Sequence, residues 1–257
     1  MHTTFWIGCS GYAYPEWKGR WYPPDLPRSQ WFHYYARHFR TVEINATFYR
    51  LPPLTVIQRW KEQAPPDFYY VLKAPRKFTH HRQWHSPPPS IDDFLTVASH
   101  LHPHLAGFLF QFPRYQYPQQ PLIQHLAQLR ERTDAMIACE FRHPGWWIPE
   151  WTEWCEHHQL VFCSVIAPHF PSRFIVTNNQ LYLRIHGDPW YRQNFSDTEL
   201  RSLAQRLRQL HIQTGWIYFN NTVNAYAPHN AAYLQQLLEA ASNHQDESDE
   251  SRTTPDR

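Results

Sequence analysis

Thr41-Val42-Glu43-Ile44-Asn45-Ala46-Thr47-Phe48-Tyr49-Arg50 is a run of β-branched and aromatic residues halted by Pro52-Pro53, and it reads as a β-strand. Its pattern is unusual for a buried strand, because Glu43 and Asn45 lie two residues apart and so face the same side. A carboxylate and an amide buried together are costly unless partners meet them. Two other apolar strands carry a similar doublet, Glu140 with Arg142 and Arg184 with His186. Strands that each aim a polar pair inward imply one shared cavity.

Outward from that stretch, apolar runs alternate with amphipathic segments. Before it come a short strand at Phe5–Gly11, an aromatic and proline-rich loop from Tyr12 to Pro27, and a helix over 29–39 with Trp31, Phe32, Tyr35 and Phe39 at helical spacing. After it come a helix carrying Leu54, Ile57 and Trp60, a strand at Phe68–Pro75, and a surface loop from Arg76 to Pro89. Ser90 and Asp93 resemble a capping box opening the next helix, which leads to strand Ala106–Phe112 and a helix through Leu122, Leu126 and Leu129. Strand Ala135–Arg142, a helix around 150–158 and strand Val161–Ala167 follow. The connection from Pro168 to Gln180 breaks the rhythm, being too short for a full crossover helix. Strand Leu181–Gly187, a helix capped by Ser196 and Glu199, strand Gly215–Asn220 and a last helix complete the pattern.

Eight strands alternating with helices over 257 residues argue for a TIM-barrel-like (β/α)8 barrel, irregular between strands six and seven. A doubly wound sheet would need a glycine-rich first turn, and Gly8-Cys9-Ser10-Gly11 is not that fingerprint. One domain is expected over residues 1–241. Residues 242–257 lack large apolar side chains and are expected to form a disordered polar tail.

At 42% hydrophobic and 18% charged, the chain can build a substantial core, and a net charge of +2 gives little pull toward a long polyanion. The four cysteines, Cys9, Cys139, Cys155 and Cys163, have neither disulfide-like nor zinc-like spacing, so a reduced, cytoplasmic protein is expected. Met1-His2-Thr3-Thr4 does not open a secretory leader, and no run approaches the ~20 apolar residues of a membrane span.

In a barrel of this type the active site lies at the C-terminal ends of the strands. Ser10, Asn45, Lys73, Gln111, Glu140, Arg142, Arg184, His186, Asn220 and Asn221 all fall late in their strands or just beyond, whereas the strand beginnings are apolar. Each also has a structural reading: Glu43 could pair with Lys73 across neighbouring strands, and Glu140 could clamp Arg142. As chemistry, Arg142, Arg184 and Lys73 would hold an anionic group, and Glu43 or Glu140 would act as general base or acid with His186 as proton partner. Tryptophan faces would hold a ring. A divalent metal could sit among Glu43, Glu140 and His186, although no compact motif demands one.

The motifs Ile7-Gly8-Cys9-Ser10-Gly11-Tyr12, Trp17-Lys18-Gly19, Val42 to Tyr49, Phe110-Gln111-Phe112-Pro113, Glu140-Phe141-Arg142-His143, Tyr182 to Gly187 and Tyr218-Phe219-Asn220-Asn221 together resemble the DUF72, or YecE-like, family. The resemblance covers about residues 5–240 and implies a TIM-barrel fold, with a distant link to sugar isomerases. It adds Tyr12, Trp17 and His143 to the ligand-binding candidates. The chain departs from the family pattern after strand six: Ser164-Val165-Ile166-Ala167-Pro168 stands where members often carry an acid. The expected function is an enzyme acting on a small anionic, sugar-like ligand. The alternatives are a nucleic-acid binder or nuclease, in which the same cations would meet phosphates, and a non-catalytic ligand-binding barrel.

Overall fold

The computed structural model describes residues 3–82 and 91–252, with side chains described through residue 240. Eight parallel strands form one sheet: β1 (Thr4–Cys9), β2 (Thr41–Ile44), β3 (Tyr69–Lys73), β4 (Leu105–Phe112), β5 (Met136–Phe141), β6 (Val161–Ile166), β7 (Gln180–Ile185) and β8 (Thr214–Phe219). Their order is β1-β8-β7-β6-β5-β4-β3-β2, each joined to the next by a backbone ladder. The ring closes between β1 and β2 by other means. The Tyr35 hydroxyl accepts from the Cys9 N–H at 2.8 Å and donates to the Thr41 carbonyl at 2.9 Å, bridging the two strands. The approach is close: a Cβ at Gly8 would stand 2.2 Å from the Thr41 carbonyl oxygen. Glycine is the residue that fits there.

Inside the ring, Val71, Leu109, Ala138, Cys163, Tyr182 and Tyr218 form one packed cluster. At the N-terminal end of the lumen, Trp6 stacks on Trp216 at 5.5 Å and meets Tyr69 edge-on at 4.9 Å. Strand residues alternate sides, so the next inward position on each strand is two residues along. Those positions are Lys73, Gln111, Glu140, Val165, Arg184 and Asn220. The lumen is therefore apolar for most of its height and polar at its C-terminal end. This matches the fold and the strand asymmetry expected from the sequence.

The helices α1 (Trp31–Ala36), α2 (Ala46–Tyr49), α3 (Leu54–Gln63), α4 (Arg76–Thr79), α5 (Asp92–Ser99), α6 (Gln120–Leu129), α7 (Pro149–His157), α8 (Asp197–Arg208) and α9 (Tyr226–Arg252) lie between and after the strands. Their apolar stripes face the barrel, as with Leu200, Leu203 and Leu207 of α8. The predicted capping box is present there, Ser196 and Glu199 satisfying each other's backbone N–H groups. Residues 168–179 contain no helix, which is the irregular connection expected before β7.

Three local readings change. Residues 41–50 are not one strand: β2 ends at Ile44 and 46–49 turn into α2. The Thr47 hydroxyl donates to the Lys73 carbonyl at 2.7 Å, and the Phe48 N–H bonds the Asn45 carbonyl at 3.1 Å. The long-range Thr47 bond and this local turn bond override the strand propensity of Thr, Phe and Tyr. Residues 76–79, expected in a loop, form α4, while Trp84 and Ser90 lie outside the described residues. Finally, α9 carries helical backbone to Arg252, past the point where a structureless tail was expected. Among the described residues no helix is long and apolar enough to cross a membrane.

Candidate functional site

Arg184, on β7, is the centre of the polar end, with its side chain only 1% exposed. Its Nε donates to both Glu43 oxygens at 3.2 and 3.0 Å, and its Nη2 donates to Oε1 at 2.8 Å. Its Nη1 donates to Glu140 Oε2. Glu43 and Glu140 are fully buried, so one guanidinium lies between two carboxylates that solvent does not reach. Two hydroxyls complete Glu43: Ser10 Oγ donates to Oε1 and Tyr182 donates to Oε2, each at 2.7 Å. The other oxygen of Glu140 accepts from Arg142 Nε at 2.6 Å. Glu43 thus pairs with Arg184 rather than Lys73, while the Glu140–Arg142 clamp is present.

Burial alone would raise the Glu140 carboxyl, but the charges of Arg142 and Arg184, with Lys73 behind them, outweigh it and hold the group well below the usual carboxylate range. It is an ionised acceptor at any ordinary pH. Burial opposes the charge on Arg184, but Glu43 and Glu140 overcompensate and keep it protonated. His186 is driven well below its usual value by burial and by Arg184, so its ring is neutral. The Asn220 amide meets His186 Nδ1 at 3.1 Å, and the other ring nitrogen lies 3.5 Å from Arg184 Nη1 and 4.0 Å from Glu140. Trp190 covers the ring at 4.6 Å between centroids.

Nearer the mouth the cations are less engaged. The Arg142 side chain is 25% exposed and lies over the Trp190 ring at 5.0 Å. Its Nε is bound to Glu140, whereas no hydrogen bond from its two terminal nitrogens to a described residue is seen. Lys73 is half-buried at the end of β3, with its ammonium over the Phe48 ring at 4.2 Å and no ion pair among the described residues. Burial, followed by Arg184, lowers the amine to about 8, against the pull of Glu140 and Glu43. Gln111, in register with Glu140, is buried on the same inward side. Asn45 donates to the Ser10 carbonyl at 3.4 Å, and its buried Oδ1 has no partner among the described residues.

Four candidates are placed otherwise. Trp17 is fully buried with its indole N–H on the Thr222 carbonyl at 2.8 Å. Tyr12 packs against Phe32 and Tyr35 on the helix side of the sheet. Asn221 ties Gln193 and Asn230 together at 2.8 and 2.7 Å. The His143 Nδ1 accepts from the Gly145 N–H at 3.0 Å, capping a short turn at 144–146. Tyr182 joins the site without having been singled out for it. The signal for Tyr182 was its position two residues before Arg184, on the same face.

A divalent ion among Glu43, Glu140 and His186 does not fit this arrangement. The Arg184 guanidinium already occupies the position between the carboxylates, and among the described residues no group of three His, Cys, Asp or Glu could hold a metal. Strand β6 supplies no charge. Val165 is buried in the lumen in register with Arg184, and Ser164 faces away, its Oγ accepting from the Ile175 N–H at 2.8 Å. Glu43 and Glu140 therefore face three cations, Arg184, Arg142 and Lys73. An acid from β6 would cancel the excess.

The family model described as "Protein of unknown function DUF72" matches residues 6–255. The UPF0759 protein YunF of Bacillus subtilis is 25% identical over 258 aligned residues, covering 85% of this chain and 90% of that protein. The UPF0759 protein YecE of Escherichia coli K12 is 33% identical over 111 residues, 43% of this chain and 40% of that one. The crystal structure of a DUF72 family protein from Thermotoga maritima superposes with a TM-score of 0.80 at 29% identity, covering 92% of this chain and 99% of that chain. With the barrel and its polar mouth in place along the matched length, the chain belongs to the DUF72 family.

Proposed function

We propose that the C-terminal mouth of the barrel binds a small anionic, sugar-like ligand and performs acid–base chemistry on it. The observation that carries this reading is Arg142: its Nε is fixed by the buried Glu140 while its terminal nitrogens face the mouth without a protein partner. A guanidinium held from behind in this way presents a planar pair of donors suited to a carboxylate or phosphate. Gln111 and Asn45 Oδ1, unpartnered among the described residues, offer hydrogen bonds for hydroxyl groups, and the Trp190 face offers a surface for a ring.

The buried trio Glu43, Arg184 and Glu140 is the floor of this site. The two carboxylates have no free access, so proton transfer falls to Lys73, whose amine at about 8 exchanges protons near neutrality. His186, neutral and bonded to Asn220, positions the floor and the Trp190 cover. The test is a thermal-shift titration with phosphate, sulfate and sugar phosphates on the wild type and Arg142→Gln, with a short single-stranded oligonucleotide as a further arm. A ligand at one hundred times its Kd stabilises by about 2.7 kcal/mol. A shift with the small anions that is lost in Arg142→Gln supports the reading. Equal shifts in both proteins, or a shift with the oligonucleotide alone, refutes it.

A further inference from the structure

The chain carries 24 Lys and Arg residues together, of which only four are lysines: Lys18, Lys61, Lys73 and Lys77. Three of these are exposed, and the fourth, Lys73, stands at the inner end of the barrel mouth. A lysine serving only as a positive charge could be arginine there, as the chain uses almost everywhere else. An arginine cannot act as an amine nucleophile, because its guanidinium does not deprotonate in proteins.

Among the described residues, the Lys73 nitrogen makes no hydrogen bond or ion pair, and the ammonium lies against the Phe48 ring at 4.2 Å. Glu43 and Glu140, the carboxylates that face it, are committed to Arg184 and Arg142. The two arginines also act on it, and His80, whose ring meets the other neighbour of this corner, Phe48, at 5.1 Å, is itself neutral at ordinary pH. Desolvation on an apolar face beside other cations is the environment that makes a lysine amine reactive.

We propose that Lys73 is a nucleophilic lysine that forms an iminium with the carbonyl carbon of an open-chain sugar-like ligand whose anionic group rests on Arg142. The proposal rests on the reading of the mouth as an anion site and adds the bond that the site would form. The neutral amine adds its lone pair to the carbonyl carbon while the C=O electrons move to oxygen, giving a carbinolamine. One amine proton passes to that oxygen, which takes one further proton from solvent and leaves as water, while the nitrogen keeps its other hydrogen and becomes the positively charged iminium. The lowering of Lys73 to about 8 supplies the neutral amine near physiological pH.

The experiment incubates the full chain with dihydroxyacetone phosphate, or with dihydroxyacetone, and sodium cyanoborohydride, which reduces an iminium to a stable secondary amine. Intact mass and peptide mapping then locate the adduct, with Lys18, Lys61 and Lys77 as internal references. The expected result is one saturable adduct at Lys73, stronger with the phosphate, and lost in Lys73→Arg and Lys73→Met, whose folding is checked by thermal melts. Labelling spread over the exposed lysines and unchanged in both variants overturns the proposal. A thermal shift with dihydroxyacetone phosphate but no adduct overturns the nucleophile while leaving the anion site standing. An adduct at Lys73 that does not discriminate between the two probes supports the nucleophile and removes the anion reading.

Discussion

Arg184→Met tests the most committed interaction in the barrel. The substitution keeps an unbranched side chain but removes every guanidinium hydrogen bond to Glu43 and one donor to Glu140. Glu140 keeps Arg142, so its loss is partial. Glu43 keeps only the Ser10 and Tyr182 hydroxyls, which leaves a fully buried carboxylate without a cation. Breaking a buried pair on one side typically costs about 3–5 kcal/mol, because the remaining charge must stay desolvated or take up a proton. At roughly 2–4 °C per kcal/mol for a chain of this size, the melting temperature should fall by about 6–20 °C. Glu43→Gln added to Arg184→Met removes the stranded charge and should recover part of the loss, giving a coupling of about 0.5–3 kcal/mol in a double-mutant cycle. Urea unfolding of the wild type, both single variants and the double variant provides the four corners. A loss below about 1 kcal/mol for Arg184→Met, or strict additivity, would refute the claim that this guanidinium holds the floor together.

Three further outcomes follow from individual contacts. Because the folded-state pKa of Glu140 is depressed, its contribution to stability is full above the unfolded value of 4.5 and is lost as pH falls below it; wild type should lose stability on acidification below that point more steeply than Glu140→Gln. Equal acid slopes in the two proteins would mean that Glu140 is not the group responsible. Tyr35→Phe removes the hydroxyl between the Cys9 N–H and the Thr41 carbonyl and should cost about 1–3 kcal/mol by urea unfolding, since both backbone groups are left unsatisfied. The four cysteines are free and buried, so thiol reagents should titrate all four after denaturation without reductant and react slowly beforehand; finding two would contradict the structure.

The barrel and its polar end were legible because strand periodicity is rigid. Once Glu140, Arg184 and Asn220 fall late on apolar strands, alternation alone sends them to the same side as the lumen residues two positions earlier. Pairing was less legible. From spacing, Glu43 could meet Lys73 on the adjacent strand as well as Arg184 across the lumen, and side-chain reach decided for Arg184. Tyr182 was hidden by its type, since an aromatic residue in a strand reads as core until its hydroxyl is seen to touch Glu43. Tyr12 and Trp17, candidates carried by the family motifs, pack on α1 and on the Thr222 carbonyl, contacts that sequence spacing does not reveal. Asn45 and Phe48 were assigned to a strand because local propensity carries no information about the Thr47 to Lys73 bond that bends the chain.

The missing ladder between β1 and β2 bears on how the protein is made. Among the described residues, the strand ladder of β1 is with β8, Thr4 beside Thr214 and Cys9 beside Phe219. During synthesis the first strand to leave the ribosome must therefore wait for the last, while β2 to β7 can pair with near neighbours as they emerge. Until then the opening segment Phe5-Trp6-Ile7 has no edge to join, and its aromatic side chain Trp6 lacks Trp216. The N-terminal strand thus seals the nascent barrel instead of nucleating it. Nascent chains stalled before residue 214 should show β1 open to proteolysis while β2 to β7 are already protected, and early protection of β1 would reverse that order.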